Sequence, residues 1–359
     1  MSAEGFGLGV LAFLSAYWIT GRLCSPTSAF YLLDHPNDRS LHAVPIPRTG
    51  GLAILGSVFL CLLMGAVLGW SGIVRWDLAE SESARVCLWV TGLTFVIGAV
   101  SFWDDRADLP ILVRLCAHVG AAAGVTYGAG LTMQAISVPF LGPLPLGWMA
   151  IPVTVLFITW MANLYNFMDG MDGFAGGMTV FGFGALSYLS LAGGSQDLAF
   201  LALLIAAAAG GFLFFNLPPA RIFMGDVGSV PLGFLAGALS VMGVHDKVFD
   251  MWVPMLVFSP FIVDATATLL HRLVRGKKVW QAHREHYYQR LVLAGWGHWR
   301  TVAVEYVLML ACALSALAYV HVGEPWRLAI LAGWIVIYVV LAKGARLVEQ
   351  RREGLQAEA

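Results

Sequence analysis

Runs of about 20 apolar residues recur from one end of this 359-residue chain to the other, broken by short polar segments. A run of that length spans the hydrocarbon core of a bilayer as a helix. In lipid each backbone polar group must be satisfied within its own segment or a closed barrel, which makes the helix the structure of every such run. Charged residues make up only 12% of the chain, against roughly 25% in a soluble domain. The expectation is an all-α, polytopic integral membrane protein, one transmembrane domain over 1–359.

About eleven spans (10–11) fit the pattern, at 5–24, 51–70, 86–103, 111–131, 148–166, 174–192, 198–216, 228–244, 251–271, 301–320 and 325–343. The first lacks a basic n-region and a small-residue cleavage site, so it reads as a retained span. The cysteines Cys24, Cys61, Cys87, Cys116 and Cys312 are odd in number, form no CxxC pair and sit in or beside apolar runs. Neither disulfides nor a zinc site are expected.

With the N-terminus outside, seventeen of the 21 Lys and Arg fall on the cytoplasmic side; Arg75, Arg85, Lys247 and Arg327 fall outside. This bias sets the expected orientation, N-terminus out and C-terminus in. The polar segments 25–50, 104–110, 163–173, 217–227 and 272–300 then share the cytoplasmic face, where dispersed loops can converge on one site.

NLYNFMDGMDGFAGG, residues 163–177, is the densest polar cluster among them. Asn163, Asn166 and Asp169 are three apart and form one drifting stripe on a helix. Gly170 and Gly173 loosen the chain so that Asp172 turns toward the same cavity. Carboxamides read the edge of a base or sugar, and aspartates accept from N–H or O–H groups or bind a divalent cation. The plain alternative is a polar helix end with Asp-Gly turns; four polar groups in register argue against it.

FWDDRADLP, residues 102–110, ends the third span with adjacent Asp104 and Asp105 and with Asp108 a turn later. Adjacent carboxylates repel unless a cation or proton lies between them, and phosphoryl transfer needs such a cation and a group to position the attacking oxygen. A solvated loop before Pro110, with Arg106 as a counter-ion, is the simpler reading. In NLPPARIFMGDVGS, residues 216–229, Asp226 stands between Gly225 and Gly228, and Phe223 offers a ring face for stacking. A helix N-cap at Asp226 or Ser229 is its plain reading.

HREHYYQRL, residues 283–291, places His283 and His286 three apart on an expected helical face beside Arg284 and Arg290. It lacks the glutamate of a zinc-binding HExxH and suits an anion such as a diphosphate. Trp280, Tyr287, Tyr288, Trp296 and Trp299 around it are expected interfacial anchors. LLDHPNDRSLHAVPIPRTGG, residues 32–51, reads as a stiff extended loop in which Arg39, His42 and Arg48 can receive a phosphate, or as a topology-setting basic loop.

Taken in order, these elements resemble the polyprenyl-phosphate N-acetylhexosamine-1-phosphate transferases, from about Asp34 to Arg290. DDRADLP is similar to that family's DDxxD motif, NLYNFMDGMDG to NxxNxxDGxDG, and FMGDVGS to F-[ML]-GD-x-GS. The resemblance implies transfer of a sugar-1-phosphate from a UDP-N-acetylhexosamine to undecaprenyl phosphate, releasing UMP, with Mg²⁺ (Mn²⁺ as an alternative). It further implies a bacterial cytoplasmic (inner) membrane location, with the bilayer as partner, a homodimer as an assembly, and no nucleic acid.

By the same carry-over, Asp104 positions or deprotonates the polyprenyl phosphate with Asp105 beside it. Asp226, with Asp105, ligates the metal. Asn163, Asn166, Asp169, Gly170, Met171 and Asp172 surround the uridine; Phe223 stacks on uracil near Asn216. His283 and His286 hold the diphosphate, with Arg48 and Arg284 as further phosphate donors. The loop HREHYYQRL departs from the consecutive histidines of the muramoyl-pentapeptide enzymes and looks like the O-antigen-initiating branch, which starts chains with GlcNAc, FucNAc or QuiNAc. A peptidoglycan role is the alternative within the family. A transporter is the alternative outside it, opposed by span interiors nearly free of charge, with Asp264 as the main exception. A CDP-alcohol phosphotransferase is excluded because no arginine follows Asp169-Gly170 in the required DGxxAR pattern.

Overall fold

The computed structural model describes residues 3–36, 40–70, 82–278 and 283–357. Arg39, Arg75 and Trp280 lie outside them. The elements run α1 (Ala3–Leu23), β1 (Leu33–Asp34), β2 (Ile46–Pro47), α2 (Gly50–Trp70), α3 (Glu82–Ala107), α4 (Ile111–Gly128), β3 (Ala135–Val138), β4 (Gly142–Pro145), α5 (Ala150–Met168), α6 (Phe174–Ala192), α7 (Gln196–Asn216), α8 (Asp226–His245), α9 (Trp252–Val257), α10 (Ser259–Val274), α11 (Tyr287–Leu291), α12 (Gly297–His321) and α13 (Glu324–Ala357).

Ten helices among the described residues are long and apolar enough to cross a membrane. The expected ninth span differs. Residues 251–271 form two helices, α9 and α10, which meet at Phe258 with Pro254 on one side and Pro260 on the other. A proline inside a helix removes an amide donor and crowds the preceding turn, which accounts for the break. All five cysteines are free thiols. Glu305 in α12 is an acid within a span that the charge-free reading of the span interiors passed over.

α8 is the centre of the bundle, 94% buried over its most apolar stretch. It packs along α5 and α3 and touches α2. The α2–α8 crossing is close enough that a Cβ on Gly51 would lie 2.2 Å from the Gly228 Cα. Small residues are what allow helix backbones to meet so closely.

The loop 32–51 pairs on itself through a two-residue antiparallel contact, Leu33 opposite Pro47 and Asp34 opposite Ile46. It then joins the segment before α8. Phe223 N–H donates to Pro47 O at 2.7 Å, and the Gly50 and Gly51 amides donate to Phe223 O and Met224 O at 2.9 and 2.8 Å. The first amides of α2, which have no partner inside their own helix, thereby tie Arg48 and Phe223 to one spot.

Candidate active site

Five separate segments of the chain open onto one polar cavity of about 630 Å³, lined among others by Asp34, Arg48, Asp105, Asn166, Asp169, Asp226 and His283. A second, apolar cavity of about 360 Å³ lies between α3, α4, α5 and α10, walled by residues such as Leu115, Leu156, Trp160 and Leu269. A small polar chamber of about 100 Å³, bounded by Arg48, Asp104, Asp105, Arg114 and Asp226, sits between them. Asp226 borders all three.

The carboxylates at this junction are held from several helices. Asp104 Oδ1 accepts the Leu109 amide at 2.7 Å, and its Oδ2 lies 3.1 Å from Arg114 Nη1. Asp105 Oδ2 accepts the Val227 amide at 3.1 Å. A carboxylate from the end of α3 therefore faces the positive N-terminus of α8, where the helix dipole favours it. Arg48 grips the same corner, with Nη2 donating to the Asp105 carbonyl and Nε 3.7 Å from its carboxylate.

Gly225 makes this junction feasible. Its φ is +73°, and a Cβ there would stand 2.1 Å from Arg48 O. Only glycine accepts that backbone at so small a separation. Asp226 is more open than the adjacent pair, with 32% of its side chain exposed against 2% for Asp105 and 6% for Asp104.

Asp169 closes α5 as its C-cap, so the drifting stripe ends there and is not continued to Asp172. Burial raises the Asp169 carboxyl well above its usual range, and the Asp226 and Asp105 carboxylates raise it further. This crowding of acids on one cavity wall is what a divalent cation relieves. Among the described residues no three His, Cys, Asp or Glu side chains form a ready-made metal cage. Mg²⁺ does not require one, since it binds through one or two carboxylates plus substrate phosphates and keeps several waters. Asp226, with Asp105 behind it, fits that demand.

The other expected site residues divide. Asn166, Gly170, Met171 and Phe223 line the polar cavity, and the Phe223 ring packs 4.9 Å from His42. Asn163 lies on the apolar cavity, and its amide bonds back to Thr159 O at 2.7 Å. Asp172 reaches the polar cavity but is engaged elsewhere, accepting the Ala220 amide at 3.0 Å and standing 3.0 Å from His298 Nδ1. Asn216 is buried away from the cavity. Its carbonyl accepts the Gly173 amide at 3.0 Å and its NH₂ donates to Ile222 O at 2.9 Å, so it clamps two motifs to each other.

His283 and His286 do not share a helical face, because α11 begins only at Tyr287 and His286 is extended at its N-cap. His283 lines the polar cavity. Burial and the neighbouring His286 push its pKa down to about 4, so it faces the cavity as a neutral imidazole. His286 is turned inward against Asp264 Oδ1 at 3.2 Å. Asp264 also accepts the Tyr287 and Tyr288 amides at 3.0 and 3.2 Å, capping α11 from α10.

Arg284 is exposed and outside the cavity lining. Tyr288, expected at the interface, is fully buried with its hydroxyl donating to Phe167 O at 3.2 Å. Asp34, Gln289 and His298 also line the cavity and were missed. Asp34 had a signal, its place beside His42 and Arg48 in one loop, and it stands 3.5 and 3.8 Å from them.

Residues 87–244 match the model of glycosyl transferase family 4. The chain is 32% identical over 89% of its length, and 86% of the other's, to the probable undecaprenyl-phosphate N-acetylglucosaminyl 1-phosphate transferase of Bacillus subtilis (strain 168). It is 29% identical, over 86% of this chain and 81% of the other, to the undecaprenyl-phosphate alpha-N-acetylglucosaminyl 1-phosphate transferase of Yersinia pestis. A phospho-N-acetylmuramoyl-pentapeptide-transferase of Desulfitobacterium hafniense is 31% identical over 71% of this chain and 83% of its own. With its helical bundle and with the three motifs gathered at one junction, the chain belongs to glycosyl transferase family 4, the polyprenyl-phosphate N-acetylhexosamine-1-phosphate transferases.

Proposed function

We propose that this chain moves an N-acetylhexosamine-1-phosphate from a UDP-sugar to undecaprenyl phosphate, giving undecaprenyl-diphosphate-sugar and UMP, at the cytoplasmic face of a bacterial inner membrane. One observation carries the reading: Asp226 is shared by a polar cavity of nucleotide-sugar size and an apolar groove. A soluble donor and a lipid acceptor need two chambers of opposite character with one common wall. The names of the relatives support the same chemistry, and the Lys and Arg bias supports the orientation.

In this reading a phosphate oxygen of the acceptor attacks the β-phosphorus of the donor from the apolar side. The bond from that phosphorus to the oxygen bridging it to the α-phosphate breaks, and UMP departs into the polar cavity. A phosphate monoester is already largely ionised at neutral pH, so Asp104, fixed by Arg114 and the Leu109 amide, orients the nucleophile more than it removes a proton. Asn166, Asp169, Gly170 and Met171 receive the uridine, with Phe223 as the ring beneath uracil. Arg48 and His283 donate to the diphosphate. Mg²⁺ held by Asp226 and Asp105 would neutralise charge gathering on the transferred phosphoryl group.

The product is the first lipid-linked sugar of a surface polysaccharide such as O-antigen, with GlcNAc, FucNAc or QuiNAc as donor sugar. The test uses purified protein with undecaprenyl phosphate and Mg²⁺, offered UDP-GlcNAc, UDP-FucNAc, UDP-QuiNAc and UDP-MurNAc-pentapeptide separately, with Asp226→Asn as the blank. UMP from one N-acetylhexosamine donor, absent in the blank, is the expected result. UMP from the pentapeptide donor alone would assign the chain to peptidoglycan synthesis, and UMP from none would overturn the reading.

A further inference from the structure

The apolar groove contains polar groups that the reaction as described does not use. His118 on α4 and Thr159 on α5 line it, and each is 7% exposed. The His118 Nδ1 and the Thr159 Oγ1 are both buried without a hydrogen-bond partner. Asn163, whose NH₂ donates to Thr159 O, is hydrogen-bonded to the imidazole through its remaining oxygen, so that bond uses the ring nitrogen other than Nδ1 and leaves Nδ1 open. Two unpaired polar atoms in the wall of a lipid-facing chamber are costly unless a polar group enters to meet them.

Their position says which group that is. His118 is four residues from Arg114 along α4, one helical turn deeper in the groove. Asn163 and Thr159 descend from Asn166 along α5 in the same direction. Arg114, Asn166, Asp104 and Asp226 form the polar mouth of the groove. A dianion at this mouth faces two carboxylates and one guanidinium, so it gains from additional donors on the side away from the acids.

We propose that His118, with Thr159, binds the phosphate of the polyprenyl acceptor on the groove side of Arg114, an assignment that rests on the two-chamber reading above. With the other ring N–H held by Asn163, Nδ1 takes up a proton as the anion enters and, with the threonine hydroxyl, donates to a non-bridging oxygen, leaving the attacking oxygen turned toward Asp226. The apolar wall beyond Leu115 and Leu156 receives the first isoprene units.

The test compares wild type with His118→Ala, His118→Gln and Thr159→Val in nanodiscs. It measures steady-state kinetics and the thermal shift produced by undecaprenyl phosphate or by undecaprenol, which lacks the phosphate. Loss of a hydrogen bond to a charged group raises KM for undecaprenyl phosphate about tenfold in His118→Ala, with KM for the nucleotide sugar unchanged. The phosphate-dependent part of the thermal shift falls with it, and His118→Gln, which keeps a donor, restores most of both. An unchanged acceptor KM and an unchanged difference between the two lipids in His118→Ala would overturn the proposal. Wild type unmoved by undecaprenyl phosphate would instead remove the two-chamber reading itself.

Discussion

Asp105 Oδ2 accepts the amide of Val227 at 3.1 Å, which ties the end of α3 to the start of α8. One acid of the adjacent pair thus builds the site while its neighbour Asp104 faces the groove. Asp105→Ala removes an acceptor from a buried helix N-terminus, and such losses cost about 1–2 kcal/mol. Thermal unfolding in detergent should show Asp105→Ala less stable than wild type. Asp226→Asn should remove turnover with little change in unfolding temperature. Equal stability of all three would contradict the division.

Asn216 has the same kind of role at the other end of the site. Asn216→Ala leaves the Gly173 amide and Ile222 carbonyl buried and unpaired, at about 1–3 kcal/mol for each orphaned group. The variant should unfold at a lower temperature and lose kcat. If Asn216 read the nucleotide directly, its replacement would raise the donor KM with stability intact.

His283 makes stability depend on pH. Its folded pKa is depressed to about 4, below the roughly 6.5 of an unfolded histidine. Between these values the unfolded chain binds more protons, so its contribution is present above about pH 6.5 and is lost as pH falls toward 4. A His283→Asn variant should show a flatter unfolding temperature over that window. An unchanged slope would place the titration elsewhere.

Chelation tests the acid cluster. EDTA should abolish turnover and Mg²⁺ restore it. Mg²⁺ should also raise the unfolding temperature of wild type but not of Asp226→Asn, because relief of the repulsion around Asp169 runs through that carboxylate. A Mg²⁺-induced shift that survives in Asp226→Asn would move the metal to other ligands.

Much of this was legible in the chain because lipid imposes a simple code. Apolar runs gave the spans, and residues such as Asn166, Asp169 and Asp226 stood out because polar groups near hydrocarbon are costly without a task. Other features depend on packing that no local pattern records. Asn216 sits in a motif beside Phe223, yet its amide is spent on Gly173 and Ile222. His286 resembles His283 in sequence, but Asp264, 22 residues earlier, draws it inward. His298 reaches the cavity from the start of α12 through Asp172, and nothing in its own neighbourhood marks it. The broken ninth span was written in Pro254 and Pro260, and was masked by the continuous apolarity around them.

The most direct measurement follows the phosphorus. The enzyme is given undecaprenyl phosphate, Mg²⁺ and UDP-GlcNAc labelled with ³²P at the β-phosphate, or whichever UDP-sugar the donor panel selects. The label should appear in the lipid fraction as a diphosphate-linked sugar, with unlabelled UMP released in equal amount. Label released as UDP, with sugar alone on the lipid, would contradict transfer of a sugar-1-phosphate across the Asp226 junction.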